Sequence, residues 1–148
     1  MSIETMSVTK ISEYIITRFY MDADKKAVSN LKLQKLLYFV QGEAIKQYRQ
    51  CAFEEDIEAW DYGPVVRSVY DRFKVFGAGP ICRDYDTPTV VGDLKAVIDT
   101  VIDRYAQCSA WRLVQETHKP NTPWYNAFNN GDDVISKSSM IQYFVKHD

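Results

Sequence analysis

The stretch SNLKLQKLLYFVQGEAIKQYRQ, residues 29–50, limits the fold more than any other part of the chain. Leu33, Leu36, Leu37, Val40, Ala44 and Tyr48 recur at helical spacing and predict one apolar stripe on an amphipathic helix. Lys32, Gln34, Lys35, Glu43, Lys46 and Arg49 fall mostly off that stripe and can stay wet. Phe39 and Ile45 widen it, so neighbours are expected on more than one side. Ser29 or Asn30 offers a side-chain oxygen to the free amides of the first turn. Gly42 interrupts the pattern at a cost of ~1 kcal/mol relative to Ala. A close crossing by another element is the physical reason to keep it.

The flanking sequence supplies further helices. Val8 to about Tyr20 carries Val8, Ile11, Ile15 and Phe19 on one face, with Ser7 as cap and a loose lead-in before it. Ile57 to Tyr62 alternates as a short extended segment, with Glu58, Trp60 and Tyr62 on its outer face. Gly63-Pro64 breaks it, and Pro64 suits the first position of a following helix. Val66, Val69, Tyr70, Phe73 and Phe76 form that helix's stripe, which Gly77 ends as a left-handed cap. Residues 78–92 read as a loop, and Ile81 or Thr89 to Val91 could pair with Ile57 to Tyr62 as a small hairpin. Helices are then expected from Asp93 to about Gln107, through AWRLVQETHK, from the Thr122-Pro123-Trp124 cap to Phe128, and from Lys137 to Lys146. The fold class expected is mainly α: a single domain over residues 1–148, core about 8–145, with six to seven helices and room for one short β-hairpin.

Three function classes find little support. The formal net charge of -2 lacks the basic excess with which nucleic-acid binders displace counterions. No apolar run approaches the ~20 residues that span a bilayer, and the N-terminus shows no signal pattern, so a cytoplasmic protein is expected. Cys51, Cys82 and Cys108 are an odd number without a close pair, which reads as free thiols rather than a disulfide framework. His118 and His147 with no paired cysteines make a zinc site improbable, and no glycine loop cradles a phosphate; no cofactor and no metal are expected.

An enzyme would need Cys108 as nucleophile with His118 as base. Ten residues along one helix hold such groups ~14 Å apart, so no catalytic residue is assigned. Glu54, Glu55, Asp56 and Glu58 read as a solvated acidic loop. Lys32, Lys35, Arg67, Arg72 and Lys74 would form a basic strip if two helices met there; ordinary solubilising charge is the plainer reading. Trp60, Trp111 and Trp124 read first as core. Trp60 and Tyr62, beside a turn, are the candidates for an exposed anchor, because Trp, Tyr and Arg dominate interface energetics.

The block Leu33-Gln34-Lys35-Leu36-Leu37-Tyr38, then Ile57-Glu58-Ala59-Trp60 and Tyr62-Gly63-Pro64-Val65-Val66 with Tyr70, resembles the Panacea family of SocA-like antitoxins and phage-associated GepA-like proteins. Phe53, Leu113, Thr117-His118 and Pro123-Trp124 extend the resemblance to most of the chain. It implies a non-enzymatic helical domain that binds and neutralises a co-encoded protein toxin, and in some members delivers it to a protease. A DNA-binding extension found in some relatives has no room ahead of Val8, and a homo-oligomer stays open. The contact set expected is Gln34, Lys35, Tyr38, Trp60, Tyr62 and Arg67, with Gln34 and Lys35 the hardest to explain by packing. The alternatives are a phage accessory protein binding a host defence or regulatory protein, and a nucleic-acid regulator using Lys32, Lys35 and Arg67.

Overall fold

A computed structural model describes residues 3–22, 27–81 and 89–146. Those residues form seven α-helices and one small antiparallel sheet: α1 Val8–Met21, α2 Asn30–Tyr48, β1 Ile57–Trp60, β2 Gly63–Val65, α3 Arg67–Phe73, α4 Gly92–Tyr105, α5 Ala110–Thr117, α6 Pro123–Asn130, β3 Val134–Ile135 and α7 Lys137–Lys146. A 3-10 turn, Lys74–Phe76, extends α3. Helix α2 packs against α4, α7, α5, α1 and α3. The broad apolar stripe is the reason: Leu33, Leu36, Leu37, Val40 and Ala44 have no exposed surface, and Ile45 is buried with them.

The expected caps are in place. Ser29 Oγ accepts from the Lys32 amide and Ser7 Oγ from Lys10. Thr122 caps α6 ahead of Pro123, and Gly131 closes that helix in the left-handed region. Gly42 lies under α7, where a Cβ would stand 2.5 Å from the Phe144 ring. Gly42→Ala should therefore lower stability by ~1–2 kcal/mol in a denaturant titration, because displacing the ring outweighs the gain in helix propensity. Trimming Phe144 to Leu in the same background should restore most of the loss.

The described residues ahead of Ser7, 3–6, are tied down rather than loose. The Ile3 amide donates to Gln50 Oε1 at 2.8 Å, and Met6 to the Ala52 carbonyl at 3.0 Å. Beneath them Gln41 holds the α2–β1 connection: its Oε1 accepts from the Ala52 and Phe53 amides, and its Nε2 donates to the Phe53 carbonyl. The acidic loop shares this work, since Glu55 accepts from the Val8 amide at the positive end of α1.

The sheet differs from expectation. Its order is β2-β1-β3, with Ala59 opposite Pro64 and Ile57 opposite Ile135. The hairpin partner of β1 is thus the segment immediately after it, not Ile81 or Thr89–Val91. Gly63, at φ 110°, lets the chain reverse within two residues. Pro64 accordingly lies in β2, and α3 begins at Arg67. Ile81 instead donates its amide to the Val28 carbonyl, and Pro80 bridges to Ser29. Gly77 has positive φ but an extended ψ of -138°, so it turns the chain without a left-handed cap. Cys82, His147 and most of the expected 78–92 loop's centre lie outside the described residues; Cys51 and Cys108 are free thiols.

Candidate functional site

The β1–β2 turn is where the two sequence blocks meet, and buried polar groups brace it from two sides. Lys35 Nζ donates to the Pro64 carbonyl at 3.0 Å. Gln34 Oε1 accepts from the Val66 amide at 2.8 Å, and its Nε2 donates to Asn30 Oδ1 at 2.9 Å. Asn30 Nδ2 continues to the Tyr70 carbonyl, so one amide relay ties both ends of α3's first turn to α2. From the opposite side, Trp124 Nε1 donates to the Trp60 carbonyl at 2.7 Å. Trp124 is itself stacked between His118, at 3.8 Å and 1°, and Phe128, at 4.8 Å. A Cβ on Gly63 would stand 2.9 Å from both Lys35 Cε and Thr117 Oγ1, so the turn seats directly on the Lys35 stem.

This bracing presents aromatic surface. Tyr62 is 61% exposed and meets Trp111, 57% exposed, edge to face at 5.6 Å. Trp60 is half-buried, 4.9 Å from the Tyr70 ring, with the Arg67 guanidinium 5.2 Å over its face. Arg67 donates twice to Glu58, at 3.0 and 2.8 Å, and holds that carboxyl below the usual range. Beside the turn, a groove of about 640 Å³ runs between α2 and the α3–3-10 segment, lined by Asn30, Leu31, Lys35, Trp60, Tyr62, Tyr70 and Lys74 among others. Burial pushes the Lys35 ammonium down to about 7. The same burial, with Lys35 nearby, lowers His118.

Of the six expected contact residues, Trp60, Tyr62 and Arg67 reach this surface together. Gln34, Lys35 and Tyr38 are buried. Gln34 and Lys35 do have a packing explanation, the turn itself. Tyr38 points elsewhere, toward Phe39 at 5.3 Å and Phe144 at 5.7 Å in the α2–α7 contact. Its hydroxyl is buried beside the Trp124 amide without a well-formed hydrogen bond. Trp111 is the residue that sequence reasoning misplaced in the core. Leu113, Val114 and Thr117 are the buried face of α5, and position 111 falls off that face.

The other candidates disperse. Helix α5 runs unbroken between Cys108 and His118 and keeps its ends ~12 Å apart. His118 bonds carbonyls through its backbone amide, while its ring stacks on Trp124. The basic strip does not assemble: Lys35 is buried, Lys32 donates to the Ala106 carbonyl, and Arg67, Arg72 and Lys74 pair with Glu58, Glu13 and Asp71. Among the described residues no cluster of three or more His, Cys, Asp or Glu could hold a metal. No described helix is long and apolar enough to cross a membrane.

A curated relative, Antitoxin SocA of Caulobacter vibrioides (strain NA1000 / CB15N), is 29% identical over 109 residues, a match covering 66% of this chain and 58% of the relative. This chain therefore spans little more than half of that relative's length. No solved structure matches. The profile described as "Antitoxin SocA-like, Panacea domain" matches residues 33–125, which run from the buried stripe of α2 through both strands of the braced turn to the Trp124 that closes it. The chain belongs to that SocA-like, Panacea-domain antitoxin family.

Proposed function

We propose that this chain is the antitoxin of a toxin–antitoxin pair and neutralises a co-encoded protein toxin by direct binding, with no chemistry of its own. The observation that carries the reading is the Tyr62–Trp111 pair standing in solvent beside the groove, in a chain of an antitoxin family. Two large exposed aromatics in mutual contact, flanked by a third with an arginine over its face, match the composition of interface hot spots. The contact set is Trp60, Tyr62, Arg67 and Trp111. Gln34 and Lys35 position the turn from beneath, and Tyr38 takes no part.

The pair is a rigid cover for a toxin surface, because the turn carrying Tyr62 is braced from both sides before any partner arrives. Preorganisation of this kind lowers the entropy lost on association. The test begins with the adjacent gene, expressed alone and with this chain. Toxicity alone, rescue on co-expression and a co-purifying complex are the expected results. A harmless neighbour with no complex overturns the proposal. Within a complex, Tyr62→Ala with Trp111→Ala should weaken binding at least ~100-fold, from two hot-spot residues of ~2 kcal/mol or more. Thermal stability should barely change, since both side chains are mostly in water. An added role as a protease adaptor appears separately, as a shorter toxin half-life when this chain is present.

A further inference from the structure

The brace behind the β1–β2 turn ends on a titratable ring. Trp124 reaches the Trp60 carbonyl through Nε1 at 2.7 Å, and the His118 imidazole lies flat against that indole at 3.8 Å and 1°. Phe128 stacks on the same indole at 4.8 Å. His118 sits just past the last turn of α5, where its amide bonds the Val114 and Gln115 carbonyls. Its ring is half-buried, but Nε2 is enclosed and has no hydrogen-bond partner among the described residues. A neutral imidazole tolerates that position, since it can carry its one proton on Nδ1 and leave Nε2 bare. An imidazolium cannot: Nε2 becomes a buried donor without an acceptor, and the ring gains a charge.

The surroundings oppose that charge. From α2 the buried Lys35 ammonium acts on the ring, and Tyr38 lies beside the Trp124 amide. Helix α6 brings one titratable group, Tyr125, besides its Trp124 and Phe128 rings. No carboxylate compensates: Asp61 on the turn is exposed, and Glu116 of α5 is taken by Lys119 and Arg112. Burial, reinforced by the Lys35 charge, therefore holds His118 below the usual histidine value of 6.5. We propose that the His118–Trp124 stack is a proton-sensitive latch on the aromatic face: protonation at Nε2 unseats the ring, frees Trp124 from the Trp60 carbonyl and loosens the turn that carries Tyr62. The sign follows from linkage. The stacked form binds fewer protons than the open one, so the latch is fully closed above about 6.5 and weakens as pH falls through the His118 midpoint.

The test follows the full chain by NMR from about pH 8 to about pH 5, with His147→Gln assigning the two histidines. The His118 ring should titrate below 6.5. Hydrogen-exchange protection at Trp124 Nε1 should fall with the same midpoint, by roughly tenfold for each unit of that displacement. The Tyr62 and Trp111 ring signals should move with it. His118→Phe keeps a flat ring against Trp124 with no proton to gain, and should erase the transition. Lys35→Met removes the facing charge and should move the His118 midpoint upward, which a purely structural role for His118 does not produce. A midpoint at or above 6.5, protection at Trp124 that stays flat through it, or a transition that survives in His118→Phe each overturns the proposal. Release of a bound toxin in acid rests on the antitoxin reading; the loosening does not. A complex should weaken as pH falls through the His118 midpoint and lose that response in His118→Phe, and an affinity indifferent to pH overturns the proposed regulation. A harmless neighbouring gene beside a clear Trp124 transition would remove the antitoxin reading and leave the latch. Toxin rescue with a flat Trp124 profile would do the reverse.

Discussion

Lys35→Met should remove a rise in stability that the unsubstituted chain shows as pH climbs from about 7 to 10.5. Burial lowers the folded-state value to about 7, against 10.5 for a lysine in water. Between those values the unfolded chain holds a proton on Lys35 that the folded chain has released. The unfolded state then binds more protons, so stability increases with pH across the window. Below about pH 7 both states are protonated, and the cost of burying the cation is carried in full. The shift corresponds to ~4 kcal/mol between the two ends of the window, at 1.36 kcal/mol for each unit. Methionine has similar bulk and no charge, so the variant should match or exceed the parent at about pH 6. It forgoes the Pro64 hydrogen bond, worth ~1 kcal/mol, so its advantage should vanish by about pH 10. Urea titrations of both proteins across this range give the difference directly. Tyrosines raised by burial, such as Tyr14 and Tyr105, titrate identically in both and cancel. A constant gap between the two curves would mean that Lys35 stays charged in the fold.

The helices were legible because the physics that makes them is local. The α2 stripe, the Ser7, Ser29 and Thr122 caps, the Gly131 stop and the need for a close neighbour at Gly42 all follow from residues within a few positions of one another. The hairpin was not legible, because Pro64 carries two signals. Proline is suited both to a helix start and to an edge strand, and here the Gly63 turn decides for the strand. Long-range pairing misled the site reading in the same way. Gln34 and Lys35 look like surface residues off the α2 stripe, yet their partners are 32 and 29 residues away. Tyr38 was lost to the α2–α7 contact for the same reason. Trp60, Tyr62 and Arg67 lie toward the surface as their local sequence suggests, because a short outward-facing strand and turn need only neighbouring residues. Trp111 could have been found from the phase of Leu113, Val114 and Thr117 along α5.

Gly63→Ala should cost ~2–6 kcal/mol and disorganise the aromatic face, the largest loss expected from removing no atoms at all. Two independent penalties combine at this position. A residue with a Cβ pays ~1–3 kcal/mol to hold φ at 110°. The new methyl would also stand 2.9 Å from Lys35 Cε and from Thr117 Oγ1, and overpacking of that kind costs ~1–3 kcal/mol. Relief is restricted on both sides: Lys35 is anchored at Pro64, and Thr117 Oγ1 donates to the Val114 carbonyl. The two penalties can be separated. Thr117→Ala frees one of the two clashes, so Gly63→Ala in that background should recover part of the packing loss and none of the backbone strain. Trp60 reports the local outcome, because its carbonyl accepts from Trp124 at 2.7 Å and its ring rests on Tyr70. Its fluorescence should shift toward that of exposed tryptophan in the single variant. Full stability together with an unchanged Trp60 signal would show that Lys35 moves aside freely. The turn would then be held by Gln34 and Trp124 alone, and its seat on the lysine stem would be incidental.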